Sequence, residues 1–367
     1  MSTVIQLLDP VAEQRDALVE RFLKSAAGMF EVLSIYIGHR CGYYNALAST
    51  DWFTPRELAQ RTDTYERYTR EWLEQQTVAG IVEVEDELAQ ADARRYRLPE
   101  GHREVLIDRD SLNYLTPLAQ MLVGTTRPLD RLIEAYRTGT GIPYAAYGRD
   151  FLEGQAAMNR PMFLQLLGTE WLPKMPDVHQ RLQSSPPARV ADIGCGTGWS
   201  CIGIARAYPN VRVDGYDIDA ASIRLAQDNV AEAGLSDRVS LFTRDASDPS
   251  LHGLYDLVMA FETVHDMSDP VGALRTMRNL AGQHGAVLVV DERVGECFTA
   301  RGTDVEWMMY GWSILHCLPV GMSSQPSAET GTVMRKETLT RYAREAGFAD
   351  VEVLAIDHVF FRFYRLL

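Results

Sequence analysis

Positive charge, cysteine and long apolar runs are all scarce in this sequence, and each shortage closes off a class of function. Lys and Arg number 36 against 50 Asp and Glu, a net charge of −14. Such a chain repels nucleic-acid phosphates and anionic lipid, so neither nucleic acid nor a membrane is expected as a partner. The five cysteines (Cys41, Cys195, Cys201, Cys297 and Cys317) are odd in number and lack C-x-x-C spacing. They fit a reducing cytoplasm, and no metal site is read from them. No stretch approaches the roughly 18 apolar residues of a membrane span. The opening MSTVIQLLDPVAEQRDALVE has neither the basic stretch nor the apolar core of a secretory signal, so none is expected. Repeats and low-complexity tracts are absent as well.

What remains is an ordinary globular composition, 46% hydrophobic and 23% charged over 367 residues, long enough for more than one core. Apolar residues recur at helical spacing through residues 1–50, as in Phe22, Ala26, Met29, Phe30 and Leu33. Thr54-Pro55 then reads as an N-cap and first helical residue, opening a helix to Arg61. A second helix is expected from about Tyr65 to Val78, and a hairpin from Ile81–Glu85 returning through Arg95–Leu98. Helix, turn, helix and hairpin make a winged helix. Helical pattern resumes from Asp110 to Gln183, broken at Gly139–Pro143, and Ser184-Ser185-Pro186-Pro187 is the clearest linker. The partition expected is therefore 1–100 for the winged helix, 101–185 for a connector that caps a cleft, and 186–367 for a last domain.

In that last part strands and helices alternate. The strands expected are Arg189–Ile193, Val211–Asp217, Val239–Thr243, Asp256–Phe261, Ala286–Asp291, Val351–Ile356 and Val359–Tyr364. Helices between the first five imply a parallel sheet covered on both faces, and the close spacing of the last two implies an antiparallel hairpin. The first strand runs into Asp192-Ile193-Gly194-Cys195-Gly196-Thr197-Gly198-Trp199. A glycine-rich turn between strand and helix lets backbone amides reach a ligand. Its spacing is G-x-G-x-G, whereas a dinucleotide fold asks for G-x-G-x-x-G and here meets Trp199 at the sixth place. S-adenosylmethionine, which has a carboxylate, an ammonium group for an acidic or carbonyl partner and a ribose diol but no pyrophosphate, fits better. Asp217, 19 residues past Gly198, stands where an acid accepts both ribose hydroxyls, followed by Ile218. Asp245-Ala246 at the third strand end suit the adenine.

On these residues the chain resembles the class I S-adenosylmethionine-dependent methyltransferases, with Asp192 to Gly198 matching their first motif. The winged helix, connector and methyltransferase order further resembles the small-molecule O-methyltransferases of plant and polyketide-tailoring type, and Trp72-Leu73 together with His316-Cys317-Leu318-Pro319-Val320-Gly321-Met322 resembles a bacterial branch of that group. The resemblance implies a Rossmann-like α/β domain, a homodimer paired through the N-terminal domain, and S-adenosylmethionine as cofactor. It also implies a small-molecule acceptor, in secondary metabolism, methylated on a hydroxyl, amine or thiol. Cofactor contacts are expected at Asp192, Gly194, Gly196, Thr197, Gly198, Asp217, Ile218, Asp245, Ala246, Phe261 and Glu262.

The fourth strand leads into Phe261-Glu262-Thr263-Val264-His265-Asp266-Met267-Ser268-Asp269. This is similar to the His-Asp-Trp-Ser-Asp segment of that family, so the resemblance gives His265 the role of deprotonating the acceptor; packing beside the cofactor is the plainer alternative. Asp269-Pro270 reads as an N-cap and first helical residue. Glu292 matches the acid that orients the histidine, or else is a solvated strand end. A further family acid falls near Val333 or Met334 and is missing. Met309, Trp312 and His316 lie on a stripe that is either core or the wall of an acceptor pocket, with Met158, Asn159 and Phe163 closing it from the connector. Gly321–Thr332 reads as a mobile lid. Two rivals remain: an enzyme that cleaves or cyclises S-adenosylmethionine itself, and a DNA-binding regulator. The second is opposed by the acidic residues Glu66, Glu71, Glu74, Glu83 and Glu85 on its would-be reading surface.

Overall fold

Thr54 caps its helix as the sequence requires. Its hydroxyl accepts from Glu57 N, the Glu57 carboxylate accepts from Thr54 N, and the helix runs Pro55–Thr62. The computed structural model describes residues 9–49 and 51–367. The chain divides into two units, Met1–Val123 and Gly124–Leu367.

In the first unit the helices Pro55–Thr62 and Glu66–Val78 are followed by β1 (Glu83–Val84) and β2 (Tyr96–Arg97), an antiparallel pair joined by a bridge from Phe53 to Tyr96. The wing is shorter than expected, because only two residues per strand pair. Leu47, Leu58, Trp72, Leu73, Tyr96 and Leu98 form the core. Arginines on this surface face glutamates: Arg56–Glu66, Arg67–Glu71, Arg95–Glu85 and Arg97–Glu83. Exposed pairs of this kind add little stability, but they cancel positive charge. Residues 10–40 form one helix, Pro10–Arg40. Its Leu18, Phe22, Leu23, Met29 and Phe30 are all exposed.

The second unit carries β3 (Arg189–Ile193), β4 (Arg212–Asp217), β5 (Val239–Thr243), β6 (Leu257–Phe261), β7 (Ala286–Glu292), β8 (Val351–Val353) and β9 (Phe361–Leu366). They form one sheet in the order β5-β4-β3-β6-β7-β9-β8. The first five are parallel, and β9 runs antiparallel to both β7 and β8, as the strand spacing predicts. Alternate residues bury into opposite layers. Val190, Leu257, Met259, Leu288 and Val290 face one, while Ala191, Ile193, Val258, Ala260, Val287 and Val289 face the other. Strand order reverses between β3 and β6, so a crevice opens beyond their C-terminal ends, where ligands bind in such sheets. No helix among the described residues is long and apolar enough to cross a membrane.

Candidate active site

The glycine-rich turn begins where β3 ends. Gly194 has φ +70°, and a Cβ there would lie 2.3 Å from Thr263 Oγ1, so only glycine fits. Gly196 has φ +51° and nothing within 4 Å of an added Cβ, so its backbone faces open space. Gly194 N and Cys195 N donate to Tyr216 O, and Asn229 Nδ2 donates to Thr197 O, which fixes the turn against β4 and the next helix. Gly198, at φ +80°, caps the Trp199–Ala207 helix. Asp217 at the end of β4 accepts from Gly196 N and Asp219 N, each at 2.8 Å, and burial raises its pKa. Ile218 beside it is 68% exposed, available to cover a flat ring.

Asp192 lies deeper than a ligand contact needs. It is fully buried, and its Oδ2 accepts from Ser200 Oγ and from Cys201 Sγ. Burial raises its carboxyl to about 6 against those two bonds. That oxygen braces the turn from beneath. Asp245 accepts from the amide and hydroxyl of Ser247 in its own exposed turn, and Ala246 packs on the core.

At the ends of β6 and β7 the arrangement is different. Glu262 has φ +52°, a strained conformation for a residue with a side chain. His265 follows on a single turn of helix and is 2% exposed. Its Nδ1 donates to Asp291 Oδ1 at 2.8 Å, and its Nε2 lies 3.1 Å from Asp266 Oδ1. The acid bonded to the imidazole is therefore Asp291, one residue before the expected Glu292. Successive strand residues point to opposite faces, so a one-residue slip in matching the family changes the partner. Glu292 is not a solvated strand end either, being 7% exposed, and its Oε2 meets no donor. Burial opposes charge on His265, but Asp291 and Asp266 outweigh it and hold its pKa well above the ordinary 6.5. Burial raises Glu262 and Glu292, each further raised by neighbouring acids and lowered by His265.

Past β7 a helix runs Asp304–Trp312 and then widens to a π turn at Ser313–Cys317, a departure that recurs at functional sites. It places His316 against Phe151 (ring centroids 3.9 Å), Tyr147 (4.5 Å) and Tyr144 (5.6 Å), with Trp312 6.4 Å from Phe151. Burial lowers His316 to about 4, so it is neutral. Tyr144, Tyr147 and Phe151 carry no motif, and the sequence reading missed them. Met309 is buried and Met158 partly so. Phe163, expected on a pocket wall, packs in the core against Phe261 and Trp171, because the Trp199–Ala207 helix lies directly on its backbone. Gly321–Thr332 is tethered over the His265 turn by Ser268 Oγ and Ser327 Oγ, both donating to Gly321 O, and by Ala328 N donating to Ser268 O. Of the two positions near which the missing acid falls, Met334 is core and Val333 is half-buried. Among the described residues His265, Asp266 and Cys317 bring one atom each within 4.8 Å of one another, with His265 Nε2 3.1 Å from Asp266 Oδ1.

A parallel sheet reversing at β3/β6, a glycine turn at β3 and an acid at the end of β4 define the class I S-adenosylmethionine-dependent methyltransferase fold. Residues 184–347 match the family model described as a methyltransferase domain, and residues 30–108 match the Rv2258c-like winged HTH domain. The chain thus carries a methyltransferase domain and an N-terminal winged helix-turn-helix domain. It is similar to ajmaline N-methyltransferase of Rauvolfia serpentina, 29% identical over 28% of this chain and 36% of that one, so the match spans about a third of that relative. In fold it is similar to mitomycin 7-O-methyltransferase MmcR (18% identity, 97% of this chain, 100% of that one, TM-score 0.67). It is equally similar to human N-acetylserotonin methyltransferase in complex with S-adenosylmethionine (17% identity, 98% of each chain, TM-score 0.65).

Proposed function

We propose that this protein transfers a methyl group from S-adenosylmethionine to a small-molecule acceptor of secondary metabolism. The observation that carries the reading is the bond from Gly196 N to Asp217 Oδ2, which ties an open glycine turn to a carboxylate at the switch point of the sheet. The turn Gly194, Gly196, Thr197 and Gly198 would lay its open backbone against the methionine end of the cofactor, with Thr197 N left to meet the carboxylate while the amides of Gly194, Gly196 and Gly198 hold the turn itself, braced by Asp192. Asp217 would accept from the ribose hydroxyls, Ile218 and Ala246 would cover the adenine, Asp245 would meet its amino group, and Phe261 would floor the cleft. S-adenosylmethionine bound there supplies a methyl carbon activated by its sulfonium.

His265 with Asp266, Asp291, Glu262 and Glu292 is then the cluster that manages the acceptor's proton. Trp312, His316, Met309 and Met158 line the acceptor side together with Tyr144, Tyr147 and Phe151. Holding the two reactants in line supplies most of the rate in such a transfer. Calorimetry with S-adenosylhomocysteine tests the reading: a single saturable site is expected, and no binding would sink it.

The chain acts as a homodimer, supported by the apolar face of Pro10–Arg40 that Phe22, Met29 and Phe30 leave uncovered. Light scattering of Phe22→Glu/Phe30→Glu should give monomer where wild type gives dimer. A cytoplasmic location is supported by five free cysteines.

A further inference from the structure

We infer that the acceptor is a basic amine, seated with its ammonium group on Glu262 and Glu292 and methylated on that nitrogen. This deepens the methyltransferase reading and rests on it. Three enclosed carboxylate oxygens at the ends of β6 and β7, Glu262 Oε1, Asp291 Oδ2 and Glu292 Oε2, have no hydrogen-bond donor. Buried carboxylate oxygens are normally satisfied, and an unsatisfied one is costly. Among the described residues the cation that meets these carboxylates directly is His265, whose two ring nitrogens already face Asp291 and Asp266, while Arg362, opposite Asp291 in the pairing of β7 with β9, forms its ion pair with Glu296. The charged groups acting on Glu262 are His265, Asp291 and Asp266, and those acting on Glu292 are the same three and Glu262, with no Lys or Arg among them. What is missing is a set of donors carrying positive charge, and an ammonium group is both.

The neighbouring walls agree. Tyr144 is raised by burial and then by Asp217, Asp219 and Asp266, and its ring meets Phe151 and His316 edge-on at 5.8 and 5.6 Å between centroids. Tyr147, Phe151 and Trp312 follow it. Aromatic faces beside carboxylates recognise ammonium ions well.

The chemistry balances. The ammonium gives one N–H proton to the Glu262 or Glu292 carboxylate, leaving a neutral amine and a carboxylic acid. The nitrogen lone pair then forms the N–C bond as the S–C bond breaks, and that electron pair stays on sulfur. Positive charge moves from sulfur to nitrogen, toward the carboxylates. Burial raises both glutamates toward the proton affinity of an amine, so the first step is not steeply uphill. It also removes two charges from a desolvated site. A phenol giving up its proton there would leave a phenolate beside Asp266 and Asp291, where like charges repel at low dielectric.

The test uses the full chain with methyl-labelled S-adenosylmethionine and ring-matched probes: tetrahydroisoquinoline and tryptamine against 2-naphthol and 5-hydroxyindole. The same probes are titrated into the S-adenosylhomocysteine complex. Label should appear on amine nitrogen, and the amines should bind about tenfold or more tighter than the phenols. Glu292→Gln should weaken amine binding by a similar factor while leaving S-adenosylhomocysteine affinity unchanged. Label on phenol oxygen, amines binding no tighter than phenols, or an unaffected Glu292→Gln protein would each overturn the amine assignment and leave the cofactor reading intact. Failure to bind S-adenosylhomocysteine would instead remove the reading beneath it.

Discussion

The two halves of one sheet edge treat their carboxylates in opposite ways. At the ends of β3 and β4, Asp192 and Asp217 are bonded by hydroxyl, thiol and backbone N–H groups. At the ends of β6 and β7, Glu262, Asp291 and Glu292 each keep an enclosed oxygen with no donor. The first half is finished and stiff, as a site for an invariant cofactor should be. The second is electrostatically incomplete, and completion has to come from its occupant. Preorganised donors cost nothing at the moment of binding, whereas unpaired acids raise the energy of the empty site.

Removing His265 should have the largest effect. His265→Ala takes the imidazole out of the cluster that manages the acceptor's proton, and turnover should fall on the order of a hundredfold to ten-thousandfold. Calorimetric affinity for S-adenosylmethionine should barely change, because the finished half is untouched. A mutant turning over near the wild-type rate would make positioning alone the source of catalysis.

Next comes the finished half. Asp217→Ala removes the acceptor proposed for two ribose hydroxyls, and binding should weaken at least about tenfold by calorimetry. Unchanged affinity would erase the contrast from that side.

The third prediction concerns pH. His265 is held above pH 6.5 by Asp291 and Asp266 against burial, with Glu262, Glu292, Cys317 and the neutral His316 around it. The cluster accepts a proton only once one has left, so the rate should rise along a limb above pH 6.5. Asp291→Asn removes the nearest carboxylate and should shift that limb toward acid in a kcat–pH profile.

The smallest effect is on stability. Burial lifts Glu262 from 4.5 to about 8, so the folded protein holds more protons than the unfolded one in that window. Stability of the ligand-free protein should therefore decline as pH rises from about 4.5 to about 8. Glu262→Gln keeps the shape without the charge, and its Tm should fall less over the same range.

Sequence alone determined what local chemistry controls. The Thr54/Glu57 cap, the Asp269 cap before Pro270 and the glycine turn each act within a few residues. Strands β3, β6 and β7 emerged because buried parallel strands read as continuous apolar runs. The place of His265 just past the end of β6 was legible as well, because the strand pattern stops at Phe261.

Tertiary structure decided which side chains meet. Only the register of β6 on β7 makes Asp291, and not Glu292, the partner of His265. Only the packing of the Trp199–Ala207 helix takes Phe163 into the core, and only the π turn at Ser313–Cys317 brings His316 onto Phe151. The unpaired acids, too, exist only once folding has stripped them of water. Periodicity records which face of an element is apolar. It does not record what lies opposite, because that contact is made between residues far apart in the chain.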